Sequence, residues 1–210
     1  MDPAMSKTPT STPRLSELER KITRMFSGRA ASTEEEYLAL GINRVIEYSD
    51  GCLEVPALPT ESHQDILIFL FEALRAFVQA GRLGKVLLAA RPVRLWSRKY
   101  REPDILFMKV ENAHRRHEKY WDGADLVMEV VSADPKDRER DLVTKRHEYT
   151  RAGIPEYWIV DPLEQRILVL TLGGDVYDVY GEFGPGEEAS SLLLPGFRVA
   201  VDDVFAAASA

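Results

Sequence analysis

The chain has 210 residues, of which 45% are hydrophobic and 29% charged, and its 27 basic and 34 acidic residues give a net charge of −7. This apolar fraction excludes a wholly disordered chain, and no run approaches the roughly 18 uninterrupted apolar residues that a membrane span needs. With one cysteine, Cys52, and no apolar N-terminal signal region, we expect a cytoplasmic protein without a membrane partner.

The acidic residues are concentrated in the last quarter of the chain. Residues 156–210 contain two basic and ten acidic residues, which leaves 25 basic and 24 acidic residues in the rest. Within that rest, residues 91–119 contain nine basic and four acidic residues. Such a segment is either a solvated surface or a contact for nucleic-acid phosphates. The negative total therefore does not exclude a nucleic-acid partner.

The first elements are short. Residues 1–31 mix Ser, Thr, Pro and charged residues without periodicity, which predicts a mobile arm, helical only around residues 15–26. Thr33 precedes three glutamates, which is typical of a helix N-cap. Asp50 and Gly51 can adopt the positive φ of a tight hairpin. The apolar runs that would form its strands are 44–48 and 52–55.

Two long helices and several strands follow. Apolar residues at three- and four-residue spacing predict one helix from Ser62 to a C-cap at Gly81 and another over 137–152. The nearly continuous apolar run 125–131 predicts a central strand covered on both faces. Further strands are expected at 85–89, 93–96, 104–110, 157–160, 166–172, 176–180 and 197–201, with the last ending the sheet before a short C-terminal helix. The order predicts an α/β fold, a mixed central β-sheet flanked by helices with additional β-hairpins.

Glu129 is the most unusual residue of the predicted central strand. It lies between Met128 and Val130, where the apolar pattern would place Ile or Leu. A buried carboxylate must be paired, protonated or bound to a metal, because an isolated buried charge costs several kcal/mol. Glu129 is therefore either an edge residue paired with an arginine or part of a functional site.

Asp104 is the second candidate. It follows Pro103 and opens the strand over 105–108, so it stands at a strand end, where side chains of neighbouring strands converge. The alternative is an ordinary turn aspartate. Glu102 lies two residues earlier and could share the face of Asp104, which makes it a weaker candidate.

Lys145 is the third candidate. In the helix over 137–152 it falls between Leu142 and Tyr149, so its ammonium should point at the sheet. The alternatives are a snorkelling lysine or a surface pair with Asp141. Tyr149 and Trp158 could stack on bases, but their spacing favours core packing.

These three residue types together indicate metal-dependent hydrolysis of phosphodiester bonds. Two carboxylates on neighbouring strands suit Mg²⁺ or Mn²⁺, which prefer oxygen ligands. A nearby lysine can orient water and stabilise charge on the transferring phosphate. From these residues we expect Mg²⁺-dependent phosphodiester hydrolysis, with Asp104 and Glu129 as metal ligands and Lys145 as the third catalytic residue.

Four segments of the chain resemble the Uma family, endonuclease-like proteins of the PD-(D/E)XK restriction-endonuclease-like superfamily. The segments are 101–105, 125–132, 141–145 and 153–161, and the likeness spans roughly residues 32–200. The resemblance implies a Mg²⁺-dependent endodeoxyribonuclease with one nuclease-like domain over 32–210. Pro103 and Asp104 would form the PD element, and Glu129 would be the next acidic residue. The superfamily lysine should stand two residues after Glu129, where this chain has Val131. The resemblance implies that Lys145 replaces it from the following helix.

The same resemblance adds two weaker candidates. The family tends to have a histidine where His63 begins the first long helix. It is either a capping or otherwise satisfied histidine, the commoner case, or a proton carrier. Glu47, in the first hairpin, matches a family glutamate and is a possible extra ligand.

Two other hypotheses stay open. Because the lysine is missing at Val131, the chain could be a catalytically silent module that binds nucleic acid or a protein through residues 91–119. Its acidic C-terminal hairpins could instead mediate assembly of a scaffold. Cleavage of both DNA strands would favour a two-fold homodimer.

Overall fold

The computed structural model describes residues 33–40 and 45–209. The predicted arm over 1–31 and the start of the first hairpin run lie outside the described residues. The helices are α1 (Glu34–Leu38), α2 (Glu61–Gly81), α3 (Pro135–Glu139), α4 (Lys145–Arg151) and α5 (Val201–Ala206), and a π-helical turn, Arg140–Thr144, joins α3 to α4. Short 3₁₀ helices cover Val110–Arg115 and Ala207–Ser209.

The strands form three sheets within the described residues. They are β1 (Glu47–Ser49), β2 (Cys52–Glu54), β3 (Gly84–Leu88), β4 (Val93–Trp96), β5 (Lys99–Arg101), β6 (Ile105–Lys109), β7 (Trp121–Asp122), β8 (Leu126–Val130), β9 (Glu156–Asp161), β10 (Arg166–Gly173), β11 (Val176–Phe183), β12 (Glu188–Ser190) and β13 (Arg198–Ala200). The main sheet has the order β11-β10-β9-β8-β6-β3, and β8 and β9 are its parallel pair. A second sheet has the order β2-β1-β5-β4-β7, and β12 pairs with β13.

Helices cover both faces of the main sheet, as the sequence predicts. On one face, α2 buries Ile66, Leu70 and Leu74 against alternate residues of β6 and β8, and α5 packs beside it. On the other face, Tyr149 of α4 packs against the opposite set of β8 side chains. Each fully buried aliphatic side chain contributes about 1.5–3 kcal/mol. Strand β8 is buried throughout, which confirms the prediction of a central strand.

The helix boundaries differ from the prediction. Thr60, not Ser62, is the N-cap of α2, because its hydroxyl accepts a hydrogen bond from the His63 amide at 3.2 Å. Gly81 is the last helical residue, and Arg82 adopts the left-handed C-cap conformation with φ 52°. The helix predicted over 137–152 is interrupted by the π-helical turn.

Three strand assignments also need correction. Strand β13 pairs with β12 and does not end the main sheet. Strands β5 and β7 lie between the predicted strands, where no strand was expected, and β5 forms the centre of the second sheet. The first hairpin and the N-cap at Thr33 are confirmed, and Thr33 and Glu36 together form a capping box. Among the described helices, none is long and apolar enough to cross a bilayer.

Candidate active site

A pocket of about 590 Å³ opens between the N-terminus of α2, the ends of β6 and β8 and the helical segment α3–α4. Its wall combines apolar side chains with many ionisable ones. The ionisable residues are Glu47, His63, Glu102, Asp104, Glu129, Asp134, Asp137, Arg140, Asp141 and Lys145. All five residues singled out from the sequence as catalytic candidates therefore line one pocket.

Asp104 is positioned by the pairing of β6 with β8. Ile105 stands opposite Met128 in this antiparallel pair, and continuing the register by one residue sets Asp104 opposite Glu129. The Oδ2 atom of Asp104 accepts a hydrogen bond from the Val130 amide at 2.8 Å. Its side chain is 18% exposed. Asp104 is thus held at the strand end and still reaches the pocket.

Glu129 is an interior residue of the sheet, not an edge residue. Its Oε1 atom accepts a hydrogen bond from the Tyr149 hydroxyl at 2.6 Å, and its Oε2 atom lies 2.8 Å from the Lys145 Nζ atom. Burial raises the pKa of Glu129 to about 8, and the charges of Asp104 and Asp141 add to this effect, although Lys145 opposes it. The negative charge at Glu129 is therefore only partly compensated.

The ammonium of Lys145 points into the pocket and reaches Glu129. Its Nζ atom also lies 3.0 Å from Asp141 Oδ1 and 3.8 Å from Glu47 Oε1. Burial alone would lower the pKa of Lys145, but these three carboxylates raise it above its ordinary value. Lys145 is therefore a charged residue at neutral pH, and Asp141 is a buried partner rather than half of a surface pair.

His63 contacts Asp104 and the backbone of β8. Its Nε2 atom lies 3.0 Å from the Val130 carbonyl oxygen and 3.4 Å from Asp104 Oδ2. Burial would lower the pKa of His63, but the hydrogen bond and charge of Asp104 raise it above its ordinary value. The Nδ1 atom is buried without a hydrogen-bond partner among the described residues. The cap of α2 is Thr60, so His63 is available to position Asp104.

Glu47 enters the site from the second sheet. Arg101 donates a hydrogen bond to its Oε2 atom, and the Glu102 amide donates to Oε1 at 3.4 Å. Burial would raise the pKa of Glu47, but Lys145 and Arg101 lower it below its ordinary value. Glu47 is therefore an ionised carboxylate that anchors the lysine.

Glu102 lines the same pocket as Asp104, but its carboxylate is bound to other residues. Its carboxylate accepts hydrogen bonds from the Tyr37 hydroxyl at 2.9 Å and from the Ile46 amide at 3.3 Å. Burial raises its pKa to about 7. The bonds of Glu102 therefore tie α1 and the first hairpin to β5.

The basic segment 91–119 is not one free surface. Lys99 and Arg101 are buried in ion pairs with Glu148, at 2.7 and 2.6 Å. Arg94 forms two hydrogen bonds with Asp122 at 2.8 and 3.0 Å. Val131, where the superfamily lysine would stand, is buried in the apolar cluster on the α4 face. The formal charge of this segment therefore overstates what a nucleic acid could contact.

The sequence analysis did not predict that several other residues belong to the site. Tyr149 was interpreted as core packing, and it is fully buried, but its hydroxyl also binds Glu129. Arg101 and Arg140 were counted only as charges. The four-residue spacing of Asp141 and Lys145 was visible, whereas the contacts of Arg101 join segments far apart in sequence.

The donor set of the pocket fits a hard divalent cation. Among residues 33–40 and 45–209, no group of three or more His, Cys, Asp or Glu side chains is already arranged as a metal site. The carboxylates of Asp104 and Glu129 are nevertheless the oxygen ligands that Mg²⁺ and Mn²⁺ prefer. Burial is the main cause of the raised pKa of Glu129 and the charges of Asp104 and Asp141 add to it, so a bound cation would favour the ionised carboxylate.

Comparison with known proteins identifies the family of the chain and a similar fold. The sequence profile of the Uma2 family, described as "Putative restriction endonuclease", matches residues 34–202. The chain belongs to the Uma2 family. A crystal structure from Anabaena variabilis, described as "a putative nuclease belonging to DUF820", superposes with a TM-score of 0.68 at 17% identity, over 84% of this chain and 99% of that one. At this identity the likeness shows the fold alone. A search of curated proteins finds no match to this Uma2 chain.

Proposed function

We propose that this Uma2 chain is a divalent-metal-dependent endonuclease that hydrolyses phosphodiester bonds in DNA, with residues 32–210 as its nuclease domain. The observation that carries the proposal is the position of the Lys145 ammonium, 2.8 Å from Glu129. Glu129 lies on β8, the strand paired with the one that Asp104 precedes. Two carboxylates and a buried lysine at one strand end are a suitable set for this chemistry. The family description supports the same reaction class.

In this proposal Asp104 and Glu129 hold Mg²⁺ or Mn²⁺. The bound ion would polarise a phosphoryl oxygen and lower the pKa of a coordinated water. Lys145 supplies a fixed positive charge beside the reacting phosphate and orients water, because Glu47 and Asp141 hold its ammonium in place.

His63 and Tyr149 act as positioning residues. His63 contacts both Asp104 and the carbonyl of Val130, so it fixes the carboxylate relative to β8. The Tyr149 hydroxyl donates a hydrogen bond to Glu129 Oε1, and the Oε2 atom faces Lys145. Such outer contacts set the orientation and basicity of ligating carboxylates.

A second candidate function is binding without cleavage. It is favoured by the engagement of Lys145 with three carboxylates and by the apolar Val131 at the superfamily lysine position. A silent module of this kind would bind nucleic acid or a protein but would not hold a metal between Asp104 and Glu129.

The test is cleavage of supercoiled plasmid DNA in Mg²⁺ or Mn²⁺, with single-stranded DNA and RNA as parallel substrates. We expect cleavage that EDTA abolishes and that Asp104→Asn, Glu129→Gln and Lys145→Met each reduce by about 100-fold or more. Glu182→Gln is the control, because Glu182 is an exposed glutamate of β11 that lies outside the pocket wall.

Calorimetric titration with Mn²⁺ separates the two candidates. The nuclease should bind the ion, and Glu129→Gln should weaken that binding, whereas a silent module should not bind it at this carboxylate pair. Wild-type cleavage by the three site variants would contradict the assignment. Sedimentation of the protein with and without DNA tests the proposed homodimer.

A further inference from the structure

Arg140 is a cationic residue of the pocket that the proposed mechanism does not use. It is the first residue of the π-helical turn, and its side chain is 21% exposed. Its Nη1 atom donates a hydrogen bond to Asp137 Oδ1 at 2.6 Å. Its Nε atom is buried and has no hydrogen-bond partner among the described residues, although Asp141 Oδ1 lies 3.4 Å away. Part of the guanidinium is therefore held in place while other N–H groups are unused.

Arg140 and Lys145 are the two Lys or Arg side chains among the described residues of the pocket wall. The ammonium of Lys145 is directed at Glu129 and Asp141, with Glu47 a little further away. Its capacity to donate hydrogen bonds is therefore largely taken. Arg140 is the other permanent cation, and the Nη N–H groups that Asp137 does not bind can contact a ligand in the pocket.

The wall of the pocket carries an excess of negative charge that such a cation would offset. Seven of its wall residues are aspartate or glutamate, so a phosphodiester would meet a negative potential. A divalent ion at Asp104 and Glu129 would neutralise only part of this charge. A guanidinium binds phosphate oxygens through paired N–H groups in a fixed plane, which an ammonium cannot reproduce.

The backbone around Arg140 is fixed by the π-helical turn. The amide of Lys145 donates to the Arg140 carbonyl, five residues back, instead of to Asp141 as in an α-helix. The Asp141 carbonyl accepts a hydrogen bond from the Tyr157 hydroxyl of β9 at 2.8 Å. The turn thus presents Arg140, Asp141 and Lys145 to the same pocket, and single π turns occur frequently at functional sites.

We propose that Arg140 is a phosphate-binding residue of this site: its free N–H groups bind a non-bridging oxygen of the nucleic-acid strand that enters the pocket. Asp137 accepts one hydrogen bond from Nη1 and Asp141 lies beside the buried Nε, so the remaining Nη N–H groups are left for the ligand. This inference rests on the proposed nuclease function, because the phosphate it binds belongs to that substrate.

The test measures binding of a fluorescein-labelled 24-base-pair DNA duplex by anisotropy, with Ca²⁺ in place of Mg²⁺ so that binding is measured without cleavage. We expect Arg140→Gln to weaken binding about 10- to 100-fold, as for the loss of charge-assisted hydrogen bonds. It should also reduce the slope of log Kd against log salt by about 0.9, the value for one lost phosphate contact. Arg140→Lys should keep that slope but bind more weakly than the wild type.

Two controls separate this role from a structural one. Arg146→Gln removes an arginine of α4 that lies outside the pocket wall and donates to the Tyr177 carbonyl, so DNA binding should not change. Asp137→Asn breaks the ion pair of Arg140 but keeps the guanidinium, so the salt slope should stay at the wild-type value. If Asp137→Asn and Arg140→Gln reduced the DNA affinity and the salt slope by equal amounts, the proposed phosphate contact would be wrong.

The outcomes also distinguish this inference from the proposed function. If Arg140→Gln binds DNA with the wild-type Kd and salt slope while Glu129→Gln abolishes cleavage, the Arg140 assignment is wrong and the nuclease proposal stands. If the wild type neither binds nor cleaves DNA or RNA, both are wrong. Thermal melts establish whether each variant is folded. If Arg140→Gln is not folded, Arg140→Lys is used in its place.

Discussion

Replacement of Arg101 by methionine should destabilise the fold, although the sequence places this residue in a basic segment. The guanidinium is 2% exposed and contacts Glu47, Glu54 and Glu148. Glu54 is 40% exposed and can turn to solvent, but Glu47, at 1% exposed, and Glu148, at 14% exposed, would lose their main partner. Breaking a buried ion pair costs about 3–5 kcal/mol.

The lower end of that range applies here, because Lys145 remains beside Glu47, Lys99 remains beside Glu148, and Glu148 is only partly buried. A loss of about 3 kcal/mol corresponds to a fall in Tm of roughly 6–12 °C for a chain of this size. Differential scanning calorimetry and urea unfolding of Arg101→Met measure both quantities.

Arg166→Met is the matched control for this measurement. Arg166 pairs with Glu182, and the two side chains are 40% and 53% exposed. Exposed pairs contribute about 0–1 kcal/mol, so the control should lose no more than about 4 °C. The reasoning is refuted if Arg101→Met melts as close to the wild type as Arg166→Met does.

Three other predictions concern pH, a site contact and backbone packing. Burial would raise the pKa of Asp161, but two hydrogen bonds from Arg138 lower it below its ordinary value. The stability from this pair is complete above the unfolded-state pKa of about 3.9 and is lost as the pH falls through the lower folded-state pKa. Asp161→Asn should therefore flatten the acid decline of Tm below about pH 4, and an unchanged decline would contradict this. Tyr149→Phe removes the hydroxyl that binds Glu129, so calorimetry should find Mn²⁺ affinity about 10-fold lower or more; equal affinity would exclude this role. In Gly84→Ala the new methyl group would collide with the backbone of β6, which should cost about 1–3 kcal/mol in urea unfolding, and an unaffected midpoint would contradict the packing.

The main sheet and part of the site could be predicted because their signals are local. A β-branched run surrounds Glu129, and such a run forms an interior strand wherever both faces are covered. The direction of Lys145 followed from its four-residue spacing to Tyr149, which holds because both residues lie in α4. Helical spacing and strand alternation therefore sufficed for these residues.

The second sheet could not be predicted because its central strand is held by long-range charge pairs. Lys99 and Arg101 read as surface residues, since buried charges are rare unless they are paired. Their partner Glu148 lies 47 residues after Arg101 in the sequence. No local pattern reports such a pairing. For the same reason, the position of Glu47 beside Lys145 could be suggested only by resemblance.

The π-helical turn makes the length of this helical segment as important as its composition. A π turn holds one residue more than an α turn, so deleting one residue from Arg140–Thr144 would restore a continuous α-helix. The part before the deletion would then rotate by about 100° relative to α4, one residue's share of a helical turn. Arg140 would leave the pocket while Lys145 stayed in it. Related chains that are one residue shorter in this segment would therefore keep the carboxylates and the lysine in the pocket but lose the arginine. A comparison of residue identities alone would not reveal this change.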